Sequence, residues 1–289
     1  MISEKIKKLI PVLIGILFLA NFLTWLAIFD FSQPQMLEVS FFDVGQGDSV
    51  FIETPQGHQI LIDGGPDSTV LEKLGNEMPF WDRTIDLVIL THPDFDHVSG
   101  LIEILKSYKV ENILWTGVIS EGPEYQEWKT ALGKENARVV MAQAGEKIIA
   151  DGAVFEVLYP FESLEGQEPK SLNNSSIVMR LDFGEQSFLF TGDIYKSVEN
   201  EILQEGENLK SDFLKVAHHG SKNSSAPKFI EKVSPKVAII QVGKDNKYGH
   251  PATETLETLE EYGIKNIMRT DLEGDIKIIS NGIDYQINN

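Results

Sequence analysis

The sequence contains no cysteine, and this absence restricts the chemistry available to the chain. Disulfide bonds, thiolate metal ligands and cysteine nucleophiles are excluded, so any metal site must be built from histidine and carboxylate side chains. Basic residues are also scarce: 25 lysines and arginines stand against 44 acidic residues, and the formal net charge is -19. Because nucleic-acid-binding domains usually present a basic face, this balance argues against non-specific nucleic-acid binding but leaves a local basic patch open.

The chain is nevertheless long and apolar enough to bury a sizeable core. It has 289 residues, of which 42% are hydrophobic, and a single α/β or sandwich domain of about 250 residues is common. Alternating stretches such as 37–42 predict short strands, the apolar run 87–90 predicts a buried strand, and the spacing in 101–108 predicts a helix. Groups of strands followed by helices predict two packed sheets with helices outside.

The amino terminus differs in character from the rest of the chain. Residues 9–29 contain no charged side chain, and Lys5, Lys7 and Lys8 precede them. About 20 apolar residues suffice to cross a membrane, and the positive flank predicts a cytoplasmic amino terminus. A cleaved signal peptide, which would make the protein secreted, is the alternative, but the following residues offer no small-x-small cleavage site.

We therefore expect a single-pass protein of the cell membrane whose main domain is extracytoplasmic. The expected divisions are a cytoplasmic stub at 1–8, a transmembrane anchor at 9–29, a linker at 30–36 and the main domain at 37–289, whose chemistry the motifs below indicate.

A dense group of metal-ligand types follows the buried strand that ends at Leu90. His92, Asp94, Asp96 and His97 lie within six positions, at a strand end where α/β sheets place ligand sites. Histidine together with carboxylate suits Zn, Mn or Fe, whereas all-oxygen sets favour Mg or Ca. A polar loop whose histidines cap the next helix is the alternative, but four donors at this spacing favour a metal site.

The segment His92-x-Asp94-x-Asp96-His97 resembles the H-x-[HD]-x-D-H signature of the metallo-β-lactamase superfamily. Residues similar to the family's other ligand positions follow in the family's order: Asp63 after an early strand, Asp193 after a later one, and the pair His218-His219. The resemblance implies an α/β fold, the αβ/βα four-layer sandwich, here preceded by the expected transmembrane helix.

More narrowly, the chain resembles the soluble hydrolase domain of ComEC-type DNA-uptake proteins. The similar stretches are 42–49, Asn173-Asn174, 215–221 and 248–251. Phosphorylcholine esterases of bacterial surfaces are similar in carrying aspartate at the second position of the metal motif. The resemblance implies a metal-dependent phosphodiesterase or nuclease that acts on DNA or on a surface phosphoester. It makes the DNA-uptake machinery a candidate partner, although a single span excludes that this chain is itself the pore.

The resemblance also implies one or two divalent metal ions, Zn or Mn. His92, Asp94 and Asp193 would bind one ion, and the other would be bound by Asp96, His97, Asp193 and His219. Such a pair can generate hydroxide and steady an in-line displacement at phosphorus. The assignment of His219 over His218 as the ligand is only a leaning.

Further roles follow from the same resemblance. The catalytic group comprises Asp96, His218, which contacts the phosphoryl group or protonates the leaving oxygen, and His250, which faces the site or remains an exposed loop residue. Asp63 would orient a ligand histidine, and Asp48 would help shape the substrate cleft.

Two departures from the family pattern affect the metal. Asp94 replaces a histidine found in many members, which predicts a harder site that accepts Mn as readily as Zn. No histidine lies between His97 and His218, and Asn173 or Asn174 occupies the place of the family's middle ligand histidine. The asparagines are either weak ligands or simply turn residues before a strand.

Two other classes of function compete with the hydrolase. Diiron redox proteins of the superfamily use similar motifs but usually carry a flavin domain, for which the chain after residue 250 is too short. A non-catalytic metal-binding relative would keep the fold without the complete donor set, and the joint presence of all six donors argues against that.

Overall fold

The structure, a computed structural model, describes the backbone of residues 4–31 and 36–289, and the side chains of 9–25, 28 and 36–289. The chain divides into two compact units, Met1–Gln35 and Met36–Asn289. Part of the predicted stub (residues 1–3) and most of the predicted linker (residues 32–35) lie outside the described residues. The domain boundaries stay a prediction.

The first unit contains helix α1 (Glu4–Phe31). In the described part of the chain, no helix combines the length and the apolar character that a membrane crossing requires. The single-pass localisation predicted from residues 9–29 is therefore wrong, and neither the transmembrane anchor nor the membrane as a partner is supported. The prediction relied on the absence of charge, whereas a crossing also requires sufficient length and apolar character along the helix.

Residues 36–289 form two mixed β-sheets. The strands in chain order are β1 (Leu37–Phe41), β2 (Val50–Glu53), β3 (Gln59–Ile62), β4 (Thr84–Leu90), β5 (Lys109–Trp115), β6 (Arg138–Met141), β7 (Lys147–Ala150), β8 (Ala153–Tyr159), β9 (Val178–Phe183), β10 (Gln186–Phe190), β11 (Phe213–Lys215), β12 (Val237–Ile240), β13 (Asn266–Arg269), β14 (Ile276–Ser280) and β15 (Tyr285–Asn288). One sheet has the order β15-β14-β1-β2-β3-β4-β5-β6, and the other has the order β13-β12-β11-β10-β9-β8-β7.

Helices cover the outer face of each sheet. They are α2 (Thr69–Glu77), α3 (Phe95–Ser107), α4 (Pro123–Leu132), α5 (Lys196–Glu205), α6 (Pro227–Val233), α7 (Thr253–Glu261) and the short α8 (Thr270–Glu273), with 3₁₀ turns at Asn173–Ser175 and Ala217–Gly220. Buried side chains of α2, α3 and α4 pack on the first sheet, and those of α5, α6 and α7 pack on the second.

The core between the sheets is built from the inward-facing residues of both, among them Phe41, Phe155 and Phe188. Each side chain of this size contributes about 1.5–3 kcal/mol when it is fully buried. The helix–sheet–sheet–helix arrangement confirms the four-layer sandwich implied by the sequence.

Each sheet has a parallel half, and the candidate site lies where these halves end. Strands β3 to β6 run parallel in one sheet, as do β10 to β13 in the other. Asp63 follows β3, His92 follows β4, Asp193 follows β10 and His219 follows β11. The carboxyl ends of parallel strands are the usual location of ligand sites in such sheets, because loops from several strands meet there.

Helix α3 packs very closely against the loop that follows β3. The Gly64 nitrogen donates a 2.8 Å hydrogen bond to the carbonyl of His97, and the Gly100 nitrogen donates a 3.0 Å bond to the carbonyl of Gly65. A Cβ atom on Gly100 would overlap the Gly64 carbonyl. This approach therefore requires glycine at position 100, and it fixes the helix that carries His97.

We expect Gly100→Ala to lower the free energy of unfolding by about 1–3 kcal/mol, because the added methyl group must displace backbone. Gly75→Ala in α2 is the matched control, since nothing lies within 4 Å of a Cβ there; it should be neutral or stabilising by up to about 1 kcal/mol. Urea unfolding of both variants checks this, and equal stability of the two would contradict it.

Candidate metal centre

The motif around residue 92 occupies the end of β4 and the first turn of α3. Helix α3 begins at Phe95, directly after Asp94, rather than at the predicted position 101. Asp96 and His97 therefore lie in the first helical turn, where the exposed amide groups and the helix dipole favour a carboxylate. The strand end and the helix start together bring His92 and His97 side by side, with ring centroids 4.1 Å apart.

Three buried imidazoles converge on one buried carboxylate. The ligand atoms of His92, His97 and Asp193 all lie within 4.8 Å of one another. The Asp193 Oδ2 atom is 3.4 Å from Nε2 of His97 and 3.3 Å from Nε2 of His219. Each of these four residues is at most 2% exposed. The arrangement brings donors from both sheets into one water-poor space.

The hydrogen bonds of the imidazoles leave every Nε2 atom pointing into that space. His97 Nδ1 is 2.8 Å from Asp63 Oδ2, and His219 Nδ1 is 2.9 Å from the carbonyl oxygen of Gln241. Both partners are acceptors, so Nδ1 carries a proton in each ring, and Nε2 is the atom that can give a lone pair to a metal ion once its own proton has left.

His92 is held in the same tautomer by two hydroxyl groups. Its Nδ1 lies 3.1 Å from Thr91 Oγ1 and 3.2 Å from Ser176 Oγ. These hydroxyls donate their own protons elsewhere, to Asp63 Oδ2 and to the carbonyl of Asn173. They therefore accept from His92 Nδ1.

The Nε2 atoms of His92, His97 and His219 are buried and have no hydrogen-bond partner. Buried polar atoms are almost always paired. Three unpaired imidazole nitrogens facing carboxylates are the donor set that binds Zn or Mn. The residues present therefore fit a divalent metal ion.

Two half-exposed aspartates complete the group. Asp94 Oδ2 is 3.5 Å from His92 Nε2, and Asp96 Oδ2 is 3.2 Å from His219 Nε2. The structure thus brings all six predicted metal ligands around one space. The division of these ligands between two ions stays a prediction.

The imidazoles and carboxylates in this space shift one another's pKa values. Burial would lower the pKa of His97 and His219, but Asp193 and the neighbouring aspartates hold both pKa values well above the usual value of 6.5. Burial would likewise raise the pKa of Asp193, but the two imidazoles hold it well below its usual value. A metal ion must therefore displace protons from the two rings.

The polar residues expected to meet substrate line a pocket of about 240 Å³ beside the metal ligands. It is lined by Gln46, Asp94, Asp96, Asn173, Asp193, Tyr195, His218, His219, Tyr248 and His250. His250 is therefore at the site, with its ring 5.5 Å from that of His218. The two asparagines differ: the Asn173 side chain is 3.4 Å from His218 Nε2, whereas Asn174 bonds to Tyr195 and Ser197.

Several site residues have unusual backbone geometry. Asp63, His218 and His219 have φ values of 56°, 52° and 53°. These values lie in the left-handed region that residues other than glycine rarely adopt. Hydrogen bonds hold them there, from Asp63 N to the Ile89 carbonyl and from His218 N to the Gly192 carbonyl. Strain of this kind is concentrated at functional sites.

Sequence reasoning missed the contacts beneath the histidines. Five lysines near the later metal motifs could form the local basic patch that the sequence leaves open. Four of them, Lys222, Lys228, Lys244 and Lys247, are exposed, but Lys215 is not. Lys215 is 3% exposed and contacts the carboxylate of Asp48. The available signal was its place in the apolar run 213–217, where a lysine needs a buried partner.

A larger cleft, of about 700 Å³, opens between the edge strands β6 and β7 with His58 at its rim. It contains none of the converging donors, and His58 there is paired with Asp151 at 2.7 Å. Size alone therefore does not mark the site; the unpaired imidazole nitrogens do.

Comparisons with known proteins agree with this geometry. Residues 42–244 match the family described as the metallo-beta-lactamase superfamily. Among solved structures, the metallo-beta-lactamase fold protein YhfI from Bacillus subtilis superimposes with a TM-score of 0.52 at 13% identity, covering 80% of this chain and 95% of that one. That similarity concerns the fold alone.

Two curated proteins are similar in sequence to this chain. ComE operon protein 3 of Bacillus subtilis is 36% identical over 258 residues, and competence protein ComA of Neisseria gonorrhoeae is 32% identical over 244 residues. Each match covers 83% of this chain but 32% of the relative. The chain thus spans about a third of the length of these relatives.

Asp63→Asn should weaken Mn or Zn binding by about 10- to 100-fold, because the carboxylate that fixes the ring of His97 becomes an amide. Asp151→Asn is the matched control, since it alters a similar aspartate–histidine contact away from the centre. Competition with a chelator measures both affinities. Equal affinities in the two variants would show that Asp63 does not orient a ligand.

Metal binding should release protons near neutral pH and should tighten as the pH rises. The raised pKa values of His97 and His219 mean that both rings are protonated near neutral pH in the metal-free protein, and the competition between proton and metal is lost as the pH rises through those pKa values. Titration calorimetry in two buffers with different ionisation enthalpies counts the released protons. Heats that do not depend on the buffer would refute the expected proton release.

Proposed function

The chain belongs to the metallo-β-lactamase superfamily, as its sequence motifs predicted, and we propose that it is a metal-dependent phosphodiesterase that acts on nucleic acid. The single observation that carries the proposal is the convergence of three unpaired imidazole Nε2 atoms on Asp193, with Asp94 and Asp96 at the rim of an open pocket. This donor set suits a hydrolytic metal site.

In the proposed centre, His92, Asp94 and Asp193 would hold one ion, and Asp96, His97, Asp193 and His219 would hold a second. Divalent ions bound there would supply Lewis acidity, which polarises a phosphoryl oxygen and lowers the pKa of water. Asp63, Gln241 and the Thr91 and Ser176 hydroxyls keep the imidazoles in the required tautomer.

The substrate side of the pocket is formed by His218, Asn173 and His250. Burial lowers the pKa of His218 despite the nearby Asp193, and desolvation with the neighbouring imidazoles lowers the pKa of His250 to about 4. Both rings are then neutral at neutral pH. We therefore assign His218 to hydrogen bonding with the phosphoryl group, rather than to protonation of the leaving oxygen.

Nucleic acid is the proposed substrate because of the similarity to competence proteins and because of the loop that carries His250. Lys244 and Lys247 are exposed on that loop, and the Lys247 ammonium lies 5.4 Å from the ring centroid of Tyr248, which lines the pocket. A cation over this ring disfavours a positively charged choline group at the same place.

The test is hydrolysis by the full chain, loaded with Mn or Zn, of bis-(p-nitrophenyl) phosphate, single-stranded DNA, double-stranded DNA and a choline phosphoester. We expect turnover of the diester and of DNA. Bound metal without any phosphoesterase activity would overturn the proposal, and turnover of the choline ester alone would replace its substrate.

Asp96→Asn should lower kcat/KM by at least about a hundredfold, equivalent to about 2.7 kcal/mol of transition-state stabilisation, while the protein remains folded. Asp151→Asn, which lies outside the pocket, should retain the activity. Far-ultraviolet circular dichroism monitors the fold of both variants. If Asp96→Asn kept most of its turnover, the site would be misassigned.

A further inference from the structure

Lys215 is the only buried lysine among residues 36–289. It is the last residue of β11 and lies shortly before His218 and His219 in the sequence. Transfer of an ammonium group from water to a protein interior is unfavourable unless anionic partners compensate it. The partners of Lys215 therefore indicate why the lysine is there.

The Lys215 ammonium has three oxygen neighbours. It contacts the Asp48 carboxylate, donates a 3.0 Å hydrogen bond to the carbonyl of Gly192, and lies 3.6 Å from Asp193 Oδ1. Asp193 Oδ1 is buried and has no hydrogen-bond partner. The ammonium is thus the charge that faces this oxygen, while Oδ2 faces the Nε2 atoms of His97 and His219.

Asp48, the partner of Lys215, also lies close to the Nδ1 atoms of two of the histidines. Its Oδ1 is 3.3 Å from His219 Nδ1, its Oδ2 is 3.8 Å from His97 Nδ1, and its backbone nitrogen donates a 3.2 Å hydrogen bond to the Asp96 carbonyl. Asp48 and Lys215 therefore lie on the Nδ1 side of the rings, opposite the side on which the unpaired Nε2 atoms converge.

We propose that Lys215 is a positioning residue. Its ammonium group, itself fixed by Asp48, attracts Oδ1 of Asp193, so that only Oδ2 of Asp193 is free to bind a metal ion. This inference rests on the proposed metal centre. Because Oδ1 faces a fixed ammonium, Asp193 cannot turn both oxygens toward one ion. Oδ2 lies beside the Nε2 atoms of His97 and His219, so it is the oxygen that would serve the ion these two rings would hold.

A purely structural role would have a different signature. If Lys215 only neutralised Asp48, removal of both charges would restore the site, because a neutral pair of similar shape leaves no unpaired buried charge. If Lys215 orients Asp193, the double replacement would restore the fold but not metal binding. The two roles are separated by comparing stability with metal affinity in the same proteins.

The experiment uses the full chain with Lys215→Met, Asp48→Asn and the Lys215→Met/Asp48→Asn double variant. Lys236→Met is the matched control, since Lys236 is exposed and pairs with Asp212 at 2.8 Å. Thermal unfolding is recorded for each metal-free protein. Affinity for Mn and Zn is measured by competition with a chelator, and the electron paramagnetic resonance spectrum of bound Mn reports its ligand geometry.

We expect Lys215→Met to weaken metal binding by at least about tenfold and to change the Mn spectrum. The double variant should regain the melting temperature of the unaltered metal-free protein but keep the weakened affinity, and Lys236→Met should match the unaltered chain. If Lys215→Met does not fold, the double variant carries the test.

Wild-type metal affinity in the double variant would overturn the proposal, since neutralisation of Asp48 would then be the whole role of Lys215. A failure of the unaltered chain itself to bind Mn or Zn would instead overturn the proposed function, and the inference with it. The unaltered protein is measured in the same series, so the two failures are distinguishable.

Discussion

The burial of Asp193 is the constraint on which the candidate centre depends. A carboxylate that is 2% exposed must be matched by positive charge or by donors. Two imidazoles on one side and an ammonium on the other provide this match. Each of these three groups is itself buried and needs a partner of its own. Asp63 is the partner of His97, the Gln241 carbonyl is the partner of His219, and Asp48 is the partner of Lys215.

The four-layer sandwich meets this requirement because it joins two sheets at the same edge. One sheet supplies the imidazoles that follow β4, and the other supplies the carboxylate after β10 and the imidazole after β11. The inter-sheet core of apolar residues sets the distance between these loops. Side chains that are far apart in sequence, such as His97 and His219, are therefore held with ring centroids 5.7 Å apart.

Much of this arrangement was predictable from the sequence because metal ligands have a restricted chemistry. Two histidines and two aspartates within six positions at a strand end predict a metal site, and the order of the later donors predicts the fold family. The start of α3 was placed six residues late, since Asp96 and His97 interrupt the apolar periodicity that predicts helices. The strands β7 and β13 are difficult to predict from the sequence because each is four residues long and lies at an edge of the second sheet.

Other features required three-dimensional information. The choice between Asn173 and Asn174 depends on a 3₁₀ turn that directs one side chain to His218 and the other to Tyr195. The role of Lys215 depends on contacts with residues 22 and 167 positions away in the sequence, Asp193 and Asp48. The amino-terminal run was misjudged because a count of charged side chains does not by itself establish the length and apolar character that a membrane crossing requires.

The division of the ligands between the sheets has a consequence for the time at which the centre can exist. During synthesis, His92, Asp94, Asp96 and His97 emerge well before the strand that positions Asp193, and His219 emerges later still. Strand β14, which pairs with β1, is made near the end. A chain that ends before residue 219 therefore lacks part of the donor set, and the sheet that contains β1 is complete only after β14 and β15 have been made. The proposed centre can thus form only late in the synthesis of the chain.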